Sequence, residues 1–277
     1  MEVDPPPSAP GDPAVGPARA TSTPSTDVRQ IGHWRVDKQI GRGSFAVVWR
    51  ARHADTGQRV AVKEIRLDKL NRKLRESLES EIQVLQRSRH GNIIKLHDII
   101  KEEKKIFLVL EYCAGGDVSE FIKKHGRVTE DVARHFMKQM ASGLRAMRAQ
   151  NLIHRDLKPQ NLLLTKSSAD AELKIADFGF ARYMHPTGMA ETLCGSPLYM
   201  APEILGYQKY DAKADLWSVG TILYELLVGR PPFTGMNPMQ LLRNIERSDA
   251  KIPSKVAHAL SRECVSILRG LLRRNPV

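Results

Sequence analysis

The chain has 277 residues, of which 43 are Lys or Arg and 31 are Asp or Glu, giving a formal charge of +12. This length is enough for one large or two modest packed units. The three cysteines, Cys113, Cys194 and Cys264, are widely separated, which disfavours a disulfide framework or a zinc site and favours a reducing compartment. We find neither a secretory signal nor an apolar run of about 20 residues. The sequence therefore predicts an unanchored intracellular protein.

The beginning of the chain differs in composition from the rest. Residues 1–30 contain seven of the 16 prolines and no aromatic residue. Such a segment cannot bury enough apolar area to offset the entropy lost on ordering. We therefore expect residues 1–32 to be a disordered, proline-rich tail and residues 33–277 to carry the fold.

Short strand-like runs and one helix come next. The runs are separated by glycine-containing turns, as in an antiparallel meander, and the helix has apolar residues at steps of three and four. The predicted strands are 34–36, 45–49, 59–62, 93–100 and 106–112, and the predicted helix is 68–88.

Helices dominate after Gly115 and Gly116. Thr129 is a suitable N-cap for an amphipathic helix, and residues 213–228 are apolar nearly all round, which indicates a helix buried on every side. The pattern predicts an α+β, bilobal fold. Its small lobe, 33–112, has a five-stranded antiparallel sheet and one helix, and its larger, mainly helical lobe spans 117–277. A hinge at 111–117 joins the lobes, and the cleft between them is a common kind of ligand site.

A glycine turn lies between the first two predicted strands, where Gly41 and Gly43 flank an arginine. Glycine lets the backbone approach a phosphate and present its N–H groups. A strand follows this turn where a dinucleotide-binding fingerprint needs a helix. Ala46 occupies the position of the third glycine in the usual loop.

Lys63 ends the third predicted strand. By the two-residue period of a strand, its side chain shares a face with Ala61, beneath the glycine turn. There it can bind phosphate oxygens, with Glu81 of the following helix orienting its ammonium group. Glu79 is the rival partner, but it lies on a different face of that helix.

The strongest signal is a set of three ordered motifs: His154-Arg-Asp-Leu-Lys-Pro-Gln-Asn161, Asp177-Phe-Gly179 and Ala201-Pro-Glu203. Asp156 can accept a hydroxyl proton, and Lys158 can neutralise a phosphate in transfer. Asn161 and Asp177 supply hard oxygen ligands for Mg²⁺. Each residue alone could be a helix cap or a loop acid, but the whole set in order indicates phosphoryl transfer.

These motifs identify a family resemblance. Residues 34–277 resemble a eukaryotic protein kinase catalytic domain, and Lys158 after Asp156 resembles the serine/threonine class. The strings at 43–49, 111–117 and 192–200 are similar to the autophagy-initiating kinases, above all the plant members.

The resemblance implies a role for each matching position. Asp156 would be the catalytic base, Lys158 its partner at the phosphate, and Asn161 and Asp177 the metal ligands. Thr192 would carry an activating phosphate received by Arg155. The implied nucleotide-site residues are Ile40, Gly41, Gly43, Ser44, Ala46, Val48, Ala61, Lys63, Glu81, Leu110, Glu111, Cys113, Asp117 and Leu163.

Two further features of the family are implied at defined positions. A spine linking the lobes would consist of Leu85, Leu96, His154 and Phe178. Asp215 would hold the backbone of the catalytic loop. The family continues past residue 277 with an arginine that pairs with the glutamate of Ala-Pro-Glu, here Glu203. We therefore expect the chain to be a fragment or a truncated form that lacks the final helix.

The resemblance implies ATP and Mg²⁺ as cofactors, Ser/Thr-containing proteins as substrates and proteins of the autophagy-initiation complex as partners. It implies a cytoplasmic protein recruited to autophagic membranes, with no nucleic-acid partner and no stable membrane insertion. Two alternatives remain open. The chain could be a nucleotide-binding pseudokinase or truncated scaffold, since fold alone does not guarantee activity. It could also be an RNA-binding basic domain, which only its charge supports.

Overall fold

The computed structural model describes residues 29–43, 45–183 and 195–276. Its amino-terminal part is built on six strands: β1 (Gln30–Ile31), β2 (Trp34–Arg42), β3 (Ala46–His53), β4 (Arg59–Arg66), β5 (Leu96–Lys101) and β6 (Lys105–Glu111). They form one antiparallel sheet in the order β1-β2-β3-β4-β6-β5. One long helix, α1 (Arg72–Arg87), lies between β4 and β5 in the chain.

The sheet has one strand more than predicted. In β1, Gln30 pairs with Arg35 and the buried Ile31 pairs with Trp34. Two residues are too few to show the alternation of polar and apolar side chains that marks a strand. The composition of residues 1–32 therefore placed β1 in the predicted tail. The predicted boundary at residue 33 falls inside this strand pair, and the rest of the predicted tail, 1–28, lies outside the described residues.

Helix α1 is shorter than the predicted 68–88. Residues 67–69 form a separate 3-10 turn, and α1 begins after Asn71, whose side chain accepts a hydrogen bond from the backbone N–H of Leu74. The buried residues Leu78, Val84 and Leu85 of α1 share a core with strand residues of the sheet. This packing fixes the face of α1 that carries Glu81.

The carboxyl-terminal part is mainly helical, as predicted. Its helices are α2 (Val118–His125), α3 (Glu130–Ala149), α4 (Pro202–Leu205), α5 (Lys213–Val228), α6 (Pro238–Arg247), α7 (Ser254–Ala257) and α8 (Arg262–Leu271). Its short strands are β7 (Leu152–Ile153), β8 (Leu162–Leu164), β9 (Leu173–Ile175) and β10 (Arg182–Tyr183), which pair as β7 with β10 and β8 with β9. The fold class is therefore α+β, as the sequence predicted.

Helix α5 is the centre of this lobe. Twelve of its 16 residues are buried, which agrees with its apolar sequence, although Leu216 is 47% exposed. The main hydrophobic core runs from α1 and β6 through α3 to α5, so the two parts of the chain share apolar packing. Within the described residues, no helix has both the length and the apolar composition to cross a membrane.

Candidate active site

An ion pair links the sheet to α1 at the cleft. Nζ of Lys63, on β4, lies 2.7 Å from Oε1 of Glu81 and 3.6 Å from Oδ1 of Asp177. Burial lowers the pKa of Lys63, but the charges of Glu81 and Asp177 outweigh burial and raise the pKa overall. Lys63 is therefore a cation held in the cleft by two carboxylates. Glu79, the rival partner, is exposed on another face of α1.

The catalytic-loop acid has three donors around it. Oδ2 of Asp156 accepts hydrogen bonds from Nζ of Lys158 at 2.7 Å and from Nδ2 of Asn161 at 3.1 Å. Oδ1 accepts one from Oγ of Ser196 at 3.0 Å, and Lys158 also donates to that hydroxyl at 2.9 Å. The side chain of Asp156 is 2% exposed. These bonds fix the carboxylate in one orientation.

The backbone of this loop is held by the central helix. The two carboxylate oxygens of Asp215, at the start of α5, accept the backbone N–H groups of His154 and Arg155 at 2.8 and 2.9 Å. Arg155 has a φ of +67°, a conformation that needs such support. Nε2 of His154 is 3.1 Å from the backbone oxygen of Ala176. Asp215 thus makes the contacts that the resemblance implied.

Asp177 and Asn161 bring oxygen atoms to the same cleft. Burial raises the pKa of Asp177, but the nearby Lys63 leads the charges that outweigh burial and lower it, so the side chain is a carboxylate. The amide nitrogen of Asn161 donates two hydrogen bonds to Asp156, one to the backbone oxygen at 2.8 Å and one to the carboxylate at 3.1 Å. The amide oxygen of Asn161 is left as its remaining ligand atom. An amide oxygen and a carboxylate are hard donors, so the set fits Mg²⁺.

A cavity of about 420 Å³ lies between the lobes. Larger cavities of about 480, 920 and 930 Å³ also occur in the described part of the chain. The charged groups converge on the smaller cavity between the lobes, which makes it the candidate nucleotide site. Of the predicted residues, the lining includes Ile40, Val48, Ala61, Lys63, Glu81, Leu110, Glu111, Cys113, Asp117, Asn161, Leu163 and Asp177. It also includes residues that were not predicted for the nucleotide site: Leu85, predicted for the spine, Tyr112, Ala114 and Gly116 of the predicted hinge, and Ile94, Glu120, Gln160 and Ala176.

The glycine turn lies outside this lining. The backbone N–H of Gly43 donates to the backbone oxygen of Ala46 at 2.8 Å, which closes the turn between β2 and β3. A Cβ atom at Gly41 would be 3.4 Å from Cβ of Val48. Ala46 is outside the positive-φ region, so its methyl group is tolerated there. Ser44 lies outside the described residues.

Residues at the hinge have structural roles besides the predicted ones. The side chain of Asp117 caps α2 by accepting the backbone N–H of Glu120 at 2.8 Å, and burial raises the pKa of Asp117. Burial also raises the pKa of the Cys113 thiol to about 12, so this sulfur is protonated at neutral pH. The carboxylate of Glu111 is 2.9 Å from Nζ of Lys174, which ties the hinge to β9.

The predicted spine residues pack together. Leu85 and Phe178 are buried in the main core, and Leu96 packs against it. The rings of His154 and Phe178 are 5.2 Å apart between centroids. The ring contact joins the loops that carry Asp156 and Asp177, and Leu85 of α1 and Leu96 of β5 belong to the same core as Phe178.

Of the two residues predicted to regulate activity, one is described. Nε of Arg155 donates to the backbone oxygen of Phe180 at 2.6 Å, and Nη1 is 3.4 Å from the hydroxyl of Tyr210. Thr192 lies outside the described residues. Ser196 was missed as a functional residue, although its hydroxyl contacts both Asp156 and Lys158. The one signal in the sequence was that Ser196 lies in the string 195–203, which ends in Ala-Pro-Glu, and that no role had been assigned to its hydroxyl.

Comparison with known proteins agrees with this geometry. The protein kinase domain family matches residues 34–277. Two Arabidopsis thaliana proteins, the serine/threonine-protein kinases ATG1c and ATG1b, are each 59% identical to the chain over 249 residues, which is 90% of the chain and 34% and 35% of the relatives.

A fungal relative gives the same picture. The serine/threonine-protein kinase ATG1 of Chaetomium globosum is 46% identical over 304 residues, covering 92% of the chain and 32% of the relative. The chain thus spans about a third of the length of the curated relatives it matches. With a family match over residues 34–277, the chain belongs to the protein kinase domain family.

Proposed function

We propose that this chain is the catalytic part of a serine/threonine protein kinase, which transfers the γ-phosphoryl group of ATP to protein Ser and Thr hydroxyls. The observation that carries the proposal is the convergence of four predicted groups at one cleft. Lys63 is 3.6 Å from Asp177, and Asn161 donates to Asp156. Phosphoryl transfer needs positioned charge more than covalent help, and this cleft supplies charge of both signs.

Each residue has a defined part in the reaction. Lys63, oriented by Glu81, binds phosphate oxygens of the nucleotide, whose adenine lies among the apolar residues of the cavity. Asp156 accepts the proton of the substrate hydroxyl as the oxygen–phosphorus bond forms. The bond from that phosphorus to the β–γ bridging oxygen breaks, and ADP leaves. Lys158, 2.7 Å from Asp156, neutralises charge on the transferred group.

Asn161 and Asp177 would hold Mg²⁺ through an amide oxygen and a carboxylate oxygen. When bound, the ion supplies positive charge to the phosphate oxygens. Asp177 remains ionised beside Lys63, because its pKa is lowered. The carboxylate is therefore ready to bind a cation at neutral pH without first losing a proton.

The wider biological assignments belong to the same proposal. We take residues 33–277 as the catalytic domain, with lobes 33–112 and 117–277 and a hinge at 111–117. Thr192 is the activating phosphorylation site, and Arg155 receives its phosphate. The similarity to the ATG1 kinases supports a role in autophagy initiation, in the cytoplasm and at autophagic membranes, with proteins of the initiation complex as partners.

The test is transfer of labelled γ-phosphate to a generic basic protein. Asp156→Asn and Lys63→Met should lower the rate by about 10²- to 10⁴-fold, the usual loss for a catalytic acid–base or phosphate-binding group. Asp131→Asn, whose side chain is 87% exposed, and Lys104→Met, also exposed, are the matched controls and should retain the wild-type rate. Equal transfer by all variants would indicate a contaminating kinase. Nucleotide binding without transfer by the wild type would favour the pseudokinase alternative.

The autophagy role needs a separate test, because the chain covers only part of its relatives. Residues 34–277 would replace the matched kinase region in Arabidopsis ATG1c, in plant cells lacking the ATG1 proteins. We expect the chimera to restore autophagic flux and its Asp156→Asn version to fail. A chimera that is active on a generic substrate but restores no flux would contradict the autophagy assignment alone.

A further inference from the structure

A second cavity lies behind the hinge, beside the end of α1 and the start of β5. It has a volume of about 930 Å³, and its wall comes from the end of α1, the loop after it, the start of β5, and Glu111 and Lys174. It shares only Leu85 and Glu111 with the nucleotide cavity. Its volume is in the range of cavities that hold ligands.

One polar atom in this cavity wall has no hydrogen-bond partner. The hydroxyl Oγ of Ser88, the residue that follows α1, is inaccessible to solvent and is unpaired in the described structure. Ser88 is 6% exposed and lines the cavity. A hydroxyl that is buried without a partner is destabilising.

Among the described residues, the neighbouring strand has one side without a strand partner, and there the backbone N–H of Ile99 donates to Oδ1 of Asp98 at 2.8 Å. Strand β5 is at the end of the sheet, paired only with β6. Residues 95–99 of this strand region line the cavity. An edge strand beside a groove can accept an extended peptide as an additional strand, with main-chain hydrogen bonds giving affinity and adjacent pockets giving specificity.

The charged side chains at this edge determine which net charge a bound peptide should carry. Arg89 and Lys95 line the cavity and are exposed, and neither side chain has an ion-pair partner in the described part of the chain. Lys174 is neutralised by Glu111 at 2.9 Å, which leaves Asp98 as the other acid in the wall. Charges can protect a sheet edge from unwanted pairing, but protection does not explain the cavity beside this edge.

We propose that this cavity is the docking site for an extended acidic peptide segment of a partner protein, which adds along the free edge of β5 and places carboxylates against Arg89 and Lys95. The backbone of the segment pairs with β5, and its apolar side chains fill the space beside Leu96 and Ile99. The inference does not depend on kinase activity, since none of the catalytic groups lies in this cavity.

The probe is a fluorescein-labelled peptide of alternating Glu and Val, titrated into the full chain and followed by anisotropy. We expect saturable binding that weakens about tenfold in the Arg89→Ala/Lys95→Ala double variant. The matched control is Lys101→Ala/Lys104→Ala, which removes two exposed lysines of the same hairpin that do not line the cavity. This control should bind within about twofold of wild type.

Two further measurements use the wild-type protein and do not depend on the stability of any variant. Bound peptide should slow hydrogen exchange at the backbone amides of β5, and a Lys/Val peptide of the same length should not bind. The proposal fails if the acidic peptide does not saturate below about 1 mM. It also fails if both double variants weaken binding equally, or if exchange in β5 is unchanged.

Discussion

The hydroxyl of Ser196 donates a hydrogen bond of 3.0 Å to Oδ1 of Asp156, across 40 residues of sequence. Lys158 donates to both side chains, at 2.9 Å to the hydroxyl and 2.7 Å to the carboxylate. The three groups form a closed triangle of hydrogen bonds around the carboxylate that we propose as the catalytic base. Ser196 therefore positions the proposed base, which makes it part of the site.

This triangle predicts the effect of removing one hydroxyl. Ser196→Ala leaves Oδ1 of Asp156 without a donor, and hydrogen bonds to charged groups contribute about 1.5–3 kcal/mol. We expect kcat to fall by about 10- to 100-fold with little change in the KM for ATP, and Ser196→Thr to retain most of the activity. Steady-state kinetics would measure both. A Ser196→Ala enzyme within twofold of wild type would mean that the triangle has no role in transfer.

The residue before Ser196 is restricted to glycine. Gly195 has a φ of +102°, and a Cβ atom there would be 2.6 Å from the backbone oxygen of Arg155 and 3.3 Å from Oδ1 of Asp156. We expect Gly195→Ala to lower the free energy of unfolding by about 1–3 kcal/mol and to displace Asp156, abolishing transfer. Denaturant unfolding and the transfer assay measure the two effects.

Gly270, in α8, is the control for that substitution. A Cβ atom there meets nothing within 4 Å. Gly270→Ala should raise the free energy of unfolding by about 0.5–1 kcal/mol, because alanine loses less backbone entropy in a helix. Equal effects of the two substitutions would contradict the steric argument at Gly195.

The buried carboxyl of Glu203 predicts a pH dependence of stability. Burial raises the pKa of Glu203 above its model-compound value of 4.5, and Asp211 raises it further. A raised pKa in the folded state gives a contribution that is present below the unfolded-state pKa and is lost as the pH rises through the folded-state pKa. Glutamine does not ionise, so Glu203→Gln should not lose this stability as the pH rises. The difference in the free energy of unfolding between the variant and the wild type should therefore grow in favour of the variant from pH 4.5 to pH 8.

Thermal unfolding of both proteins at several pH values measures that gain. Surface Glu263→Gln, in the exposed first turn of α8, is the control and should follow the wild type. A constant difference between Glu203→Gln and wild type over this pH range would show that the carboxyl does not titrate there.

Activation predicts a modification that mass spectrometry can locate. If Thr192 carries the activating phosphate, incubation with ATP should modify it, and Thr192→Ala should lower kcat by at least about tenfold because a dianionic phosphate forms strong charge-assisted bonds with arginine. Thr187→Ala is the control in the same segment. A fully active enzyme with unmodified Thr192 would refute this assignment.

Local patterns were enough to predict much of the site. The period of the third predicted strand fixed the face of Lys63, and helical spacing separated Glu81 from Glu79. In the structure Lys63 pairs with Glu81, and Glu79 is exposed. These predictions succeeded because each depends on the geometry of one element. The Lys63–Glu81 pair was proposed from the faces of the strand and the helix, and the family resemblance implied the same pair. The two charged atoms are 2.7 Å apart.

Features made by distant segments could not be predicted in the same way. Strand β1 exists because Ile31 is buried against the sheet, which no two-residue pattern reveals. Ile93, assigned to a strand by its apolar neighbours, instead bridges to Ile175. The contact of Ser196 with Asp156 and the cavity behind the hinge both depend on how separate elements pack.

The central claim is that Lys63, Asp156, Asn161 and Asp177 surround one nucleoside triphosphate. A crystal structure of the chain with Mn²⁺ and a non-hydrolysable ATP analogue, recorded with anomalous scattering, tests it most directly. We predict an anomalous peak between the side-chain oxygens of Asn161 and Asp177, with the phosphates beside Lys63 and the terminal phosphate facing Asp156. Nucleotide bound outside the cleft, or a metal ion away from both oxygen ligands, would contradict the account.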